Sequence, residues 1–507
     1  MNAGARTLSE AGVRRRYVVL TALRWLPIGI TVPVTVLLAS ARGLSAGQIG
    51  VVFAVHSIVA VSLELPTGGL ADAIGNRPVL ALSVLLGGSG LLVMATAHGV
   101  GTFALAMGLI GAGRALDSGP LESWFVDTTQ RLAPEADVTR GLSRAAAANG
   151  SGLAIGAVLG GLAPLLTSGA GAAVLAAPFL LAAALDVVYL VALMALVVPL
   201  GAAPTVRSGA ALLAGGREVP RLVRETGVAV RTDDVLRRLL GIGFLTGVVL
   251  ATLELLGPLR FARLAGGDTQ GTAVFGVVMA VSFGAAAVGS MLSGSVRRTA
   301  RGSTPVATAV LAVLAAAAVL CTALSTAVPA AAATYALFYL ANSAGWPLRQ
   351  RLMHARVPTE RRNTMVSVVS FAGQIGGVAG SLLISRLADA TSTTVGLCAA
   401  VVALLLTGVL STRLGSEGER GGVACLVDAE PAATGQLHLG HPAPALVVHG
   451  TVELDPPAAQ LRDGLVDVVA DQVELRGAGG LGRVDGDLGG GQLEDQPTAA
   501  GIDRGQP

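Results

Sequence analysis

Long runs almost free of charge, such as Pro78 to Gly101 and Ala173 to Pro199, set the strongest limit on what this chain can become. Each exceeds the roughly 20 apolar residues that an α-helix needs to cross ~30 Å of hydrocarbon. Lipid offers no hydrogen bond to a backbone group, so such segments cross as helices that satisfy themselves. Charged residues make up only 13% of the 507 and apolar residues 52%. A soluble domain carries about twice that charge, which excludes one here. The expected fold class is all-α integral membrane.

Apolar stretches place twelve transmembrane helices at residues 17–39, 48–66, 78–98, 101–123, 144–167, 173–199, 239–259, 271–293, 304–326, 329–348, 364–386 and 394–412. The first run follows Arg14, Arg15 and Arg16, but it extends past Leu38 and more runs follow, so it reads as a retained first span. All 35 basic residues are arginine. With alternate loops assigned to alternate sides, 24 arginines fall on the side of the N-terminus and four, Arg42, Arg260, Arg263 and Arg386, on the other. We refer to these as the arginine-rich and arginine-poor faces. The positive-inside rule then predicts a multi-pass protein of the cell membrane with both termini cytoplasmic.

The longest polar break, residues 200–238, divides the spans six and six. Residues 1–199 are therefore read as an N-terminal six-helix bundle, 200–238 as a central cytoplasmic loop and 239–413 as a C-terminal six-helix bundle. The halves echo one another at an offset of 221–227 residues: Ala41-Arg42-Gly43-Leu44 with Ala262-Arg263-Leu264, Gly50-Val51-Val52 with Gly276-Val277-Val278, and Pro120-Leu121 with Pro347-Leu348. Two pseudo-symmetric bundles place a substrate site between them near the bilayer midplane. From residue 414 to 507 the chain turns polar and acidic, with no span-length run, and is expected to be a disordered low-complexity tail.

Between spans two and three stands Gly68-Gly69-Leu70-Ala71-Asp72-Ala73-Ile74-Gly75-Asn76-Arg77, a tight hairpin with an acid and a base at the membrane edge. It resembles the signature loop of the major facilitator superfamily, Gly-x-Leu-Ala-Asp-basic-x-Gly-basic-basic, with Ala73 and Asn76 in place of two basic residues. The resemblance implies a cytoplasmic gate made by Gly68, Asp72, Gly75 and Arg77, with Glu64 beside it, in which Asp72 and Arg77 latch helix ends in the outward-facing state. In span five, Gly152-x-x-x-Gly156-Ala157-x-x-Gly160-Gly161 is similar to the pattern of proton-coupled exporters in that superfamily, with Ala157 where proline is usual. Gly152, Gly156, Gly160 and Gly161 equally form a helix-packing motif, since small residues let backbones approach. Arg114 resembles the family's buried fourth-helix arginine.

Ionised groups inside spans cost at least ~2.5–3.5 kcal/mol unless paired or wet. Arg24, Arg114, Asp117, Asp186 and Glu254 are such groups and are the candidates for proton coupling or substrate binding. A carboxylate without an arginine a turn away takes up a proton more readily than one beside it. That favours Glu254 over Asp117, one turn from Arg114. The resemblance implies that spans one, four, seven and ten line the central cavity, adding Asn342, Ser343 and Trp346 as cavity candidates, while span six, with Asp186, is usually peripheral. His56 reads as a proton shuttle or a packing residue. With 3% aromatic residues, a large aromatic cage has few building blocks.

The absence of lysine excludes a lysine-bearing phosphate loop, and neither His-Glu-x-x-His nor Gly-x-Ser-x-Gly occurs, so no enzyme signature competes. No metal site or cofactor is expected. The chain reads as a secondary transporter, proton-coupled and exporting a small organic compound by alternating access. Its expected partners are a small-molecule substrate, protons and the lipid bilayer, without nucleic acid, and the expected state is a monomer. The alternatives are an uptake symporter or facilitator, and a non-transporting receptor whose tail signals.

Overall fold

A computed structural model describes residues 9–67, 70–167, 171–198, 234–356 and 362–414. The expected central loop up to residue 233, Gly68 of the signature loop and the tail from residue 415 lie outside the described residues. All regular structure among the described residues is helical.

The first half holds α1 (Glu10–Ala41), α2 (Ala46–Thr67), α3 (Asn76–Thr96), α4 (Gly99–Leu132), α5 (Thr139–Leu166) and α6 (Ala172–Leu196). The second holds α7 (Asp234–Ala265), α8 (Asp268–Thr299), α9 (Thr304–Leu324), α10 (Val328–Arg356), α11 (Arg362–Ala390) and α12 (Thr393–Thr412). Eleven of these are long and apolar enough to cross a membrane. The twelfth, α10, is 29 residues long but is diluted by Thr334, Tyr335, Tyr339, Asn342 and Ser343. Many large apolar side chains point outward, including Leu166 at 86% and Met291 at 83% exposure, a surface that only a hydrocarbon solvent accommodates without cost.

Helix ends follow local chemistry. Ser9, Ser303 and Ser392 cap α1, α9 and α12 by accepting from the amides of Gly12, Val306 and Val395. α1 breaks at Val32-Pro33-Val34, where proline supplies no N–H. α4 breaks at Ser118-Gly119, with Gly119 at φ 96° and Pro120 opening the next segment. One π-helical turn, Gly380–Ile384, interrupts α11.

Helices extend beyond the apolar runs. α7 is helical from Asp234, where the span was expected at 239, and its first turn lies outside the oil with Asp234 paired to Arg237 at 2.6 Å. Its 32 residues rise ~48 Å, more than the ~30 Å core.

The halves meet along two matching seams. On α5, Gly152, Gly156 and Gly160 pack against α1 of their own half, whereas Ala157 and Gly161 face Gly276 of α8. On α11, Gly373, Gly376 and Gly380 pack against α7, whereas Ser381 and Ser385 face Gly50 of α2. At the arginine-poor face the halves are tied together beside this second seam: Asp389 of α11 accepts from Ser45 Oγ (2.6 Å) and from the Gly47 amide (2.7 Å), across the halves and onto the start of α2.

Candidate functional site

Between these seams lies a cavity enclosing about 1220 Å³, open solvent included, walled by α1, α2, α3, α4 and α6 on one side and by α7, α8 and α10 on the other. Its lining is largely apolar, with Met94, Met107, Met279, Phe179 and Phe275 among its residues, and its few polar groups are the ones a ligand would meet first.

Trp25 is part of the first-half wall. The guanidinium of Arg24 lies 5.9 Å and that of Arg114 5.7 Å from its ring, within cation–π range. The two arginines differ in what else they touch. Arg24 donates from Nε and Nη2 to Asp117 Oδ2, both at 2.8 Å, and the two side chains are 14% and 13% exposed. Arg114 has no hydrogen-bond or ion-pair partner among the described residues, although Asp117, Glu64 and Glu254 lie within its electrostatic reach. Asp186 reaches the same wall from α6, two turns after Phe179, so α6 is a cavity helix and not the peripheral one that the resemblance led us to expect.

From the second half, Glu254 lines both this cavity and a small adjoining one with Phe53, Ser57, Leu250, Ala251, Gly377 and Ser381. Its Oε1 is buried without a hydrogen-bond partner. His56 Nδ1 and Tyr339 Oη, on cavity-lining residues, are likewise unpartnered. Buried polar atoms are ordinarily bonded, so such a set marks where water or ligand completes the bonding.

A family model for the Major Facilitator Superfamily matches residues 17–381. The chain belongs to the Major Facilitator Superfamily. No curated protein matches it. Among solved structures it is similar to a mutant form of the nucleoside transporter NupG (TM-score 0.64, 11% identity, 79% of this chain and 99% of that one). A bacterial homolog of the human lysosomal transporter Spinster, inward-facing and unoccupied, gives a TM-score of 0.62 at 14% identity over 81% of this chain and 98% of that one. The peptide transporter POT, as a mutant in complex with sulfate, gives 0.61 at 14% over 79% and 94%. At these identities the likeness is one of fold.

Within this superfamily member the remaining sequence candidates take up distinct places. Glu64 accepts from Ser118 Oγ at 3.3 Å, at the α4 break, and from Gln374 Nε2 of α11 at 3.5 Å, a bond between halves. Gly75 turns the chain into α3 with φ 89°. Arg77 donates to the Met194 carbonyl at the end of α6. Asp72 lies in the short helix Leu70–Ile74. Asn342, Ser343 and Trp346 are on α10 but not among the cavity-lining residues; Trp346 carries Arg349 at 5.8 Å from its ring. From α10 the lining residues are Tyr335 and Tyr339, one helical turn apart and two turns or less before Asn342. Sequence reasoning missed Tyr335, along with Phe275 and Asp389. The i, i+4 tyrosine pair on a span that also carries Asn342 was the available signal.

Proposed function

We propose that this chain is a secondary transporter of the cell membrane, with both termini cytoplasmic, that exports a small organic compound in exchange for protons by alternating access. Glu254 carries the reading. It is a carboxylate at the meeting of the two halves, facing the cavity with one oxygen unbonded and with Arg114 opposite. Protonating it removes a charge from the boundary that must part and re-form during the cycle, which biases one facing state over the other. Arg114, Tyr335 and Tyr339 lie within its electrostatic reach, Arg114 is in turn within reach of Arg24, Asp117, Glu64 and His56, and Asp186 stands on the far wall. Export is supported by the glycine pattern of α5, and cytoplasmic termini by the arginine count.

Cells with and without the gene are first screened for susceptibility to and accumulation of organic compounds. The compound so found is then followed in proteoliposomes under an imposed pH gradient. The expected result is pH-driven flux that Glu254→Gln abolishes while expression is preserved. Unchanged proton-coupled flux in the variant removes Glu254 from the mechanism, and flux in the opposite direction makes the chain an uptake symporter.

A further inference from the structure

Each wall of the cavity holds one charged group without a bonded partner among the described residues, Arg114 on the first-half side and Glu254 on the second; Asp186, also on the first-half wall, lies within the electrostatic reach of Arg24. On the first-half side, Arg24 is already neutralised by Asp117, which leaves Arg114 on the face of Trp25 with no bonded partner among the described residues. On the second-half side, Glu254 stands beside an aromatic wall. Tyr335 lies 5.7 Å from Phe275 at 74° and 5.5 Å from Tyr339, and its hydroxyl donates at 3.2 Å to the carbonyl of Leu253, the residue before Glu254. This ties the aromatic cluster to the turn of α7 that carries Glu254. A chain with few aromatic residues has thus gathered Phe275, Tyr335 and Tyr339 at one acid on the cavity wall. An acid beside aromatic faces is the arrangement that recognises an organic ammonium group.

Resting on the transporter reading above, we infer that the substrate is an amphoteric organic molecule, its ammonium group taken by Glu254 and the aromatic wall and its carboxylate or equivalent anion by Arg114 on Trp25. A molecule with only the cation would leave Arg114 unpaired and opposed to it, and one with only the anion would do the same to Glu254; both mismatches discriminate against the singly charged ligand. Methionines Met94, Met107 and Met279 around the middle adapt to apolar bodies of differing shape. Because the two poles belong to different halves, one bound molecule joins the surfaces that must close upon it.

The test uses the purified full chain in lipid nanodiscs. Melting temperature is followed against three zwitterions of increasing charge separation, phenylalanine, 4-(aminomethyl)benzoate and phenylalanyl-phenylalanine, each beside its amine-only and acid-only counterparts. At least one zwitterion is expected to stabilise the protein at a concentration tenfold or more below both counterparts. Glu254→Gln should erase its advantage over the acid-only compound, Arg114→Gln its advantage over the amine-only compound, and Arg114→Lys should keep the preference, which separates lost charge from lost folding. If no zwitterion surpasses both counterparts, or if the preference survives both charge-removing substitutions, the inference is overturned. Alternating cysteine accessibility of the two faces in the ligand-free protein tests the transporter reading independently of this result.

Discussion

Gly161 of α5 and Gly276 of α8 meet backbone to backbone across the two halves: a methyl group on Gly161 would lie 3.0 Å from the Gly276 Cα and 3.0 Å from the Thr272 carbonyl. At Gly276 the approach is tighter still: a methyl group there would lie 2.8 Å from the Gly161 Cα and nearer yet to the Ala157 carbonyl, so the α5–α8 seam in this state depends on the absence of a side chain at Gly276. Gly50 against Ser381 and Ser385 is its counterpart on the other seam.

Gly276→Val is therefore expected to disfavour the state that is closed at the arginine-poor face without unfolding either half. The change is read as faster maleimide labelling of a cysteine placed at Thr35, a cavity residue, by a membrane-impermeant reagent applied from that face. Labelling at the parental rate, with normal expression, would show that the seam tolerates the added bulk.

Asp389 should act on the same equilibrium from outside. It caps the start of α2 from the opposite half, and losing an N-cap acceptor costs about 0.5–2 kcal/mol. Asp389→Ala is expected to raise the open population of the arginine-poor face about 2- to 30-fold, with Asp389→Asn in between. The same labelling assay reports it, and a variant indistinguishable from the parent would mean that the bond does not hold the gate.

Removing Arg24 leaves Asp117 buried without its partner, for which about 3–5 kcal/mol of destabilisation is expected. Arg24→Ala should lower the melting temperature sharply, and Arg24→Ala with Asp117→Asn should recover much of the loss. A double variant as unstable as the single one would show that the charge left behind is not the cause.

At the loop before α5, the Thr139 amide donates to Asp137 Oδ1 at 2.8 Å, and hydrogen bonding from Thr139 holds this carboxyl below its usual range. Its contribution is present above the unfolded value and is lost as pH falls through the folded one. Asp137→Ala should lower the protection factor of the Thr139 amide near neutral pH and leave no change in that factor on acidification. Equal exchange in parent and variant would contradict this.

Arginines at helix ends show both the reach and the limit of the sequence echo. Arg42 donates to the carbonyls of Met94, Ala95 and Ala97 where α3 ends, and Arg260 to those of Thr322 and Ser325 where α9 ends. These are equivalent acts in the two halves, yet the repeat read from sequence had paired Arg42 with Arg263. The Gly50 and Gly276 echo, by contrast, marks the two residues that carry the two seams.

What the sequence decided alone was everything that depends on a segment's own transfer between water and lipid. Eleven of the helices, the order of the spans and the presence of costly buried charges follow from local apolarity, which needs no neighbour to be counted, whereas α10 is too diluted by polar residues to stand on that alone. Apolarity also mislocates ends, as at Asp234, where the first turn of α7 lies outside the oil. Only tertiary structure decided which face of each helix looks at which partner: that Gly161 parts company with Gly152, Gly156 and Gly160, that Asp186 of α6 reaches the cavity, and that Arg24 rather than Arg114 claims Asp117. A packing choice of this kind is made between surfaces far apart in the chain, and an electrostatic partner is whichever group that choice brings within a few ångströms.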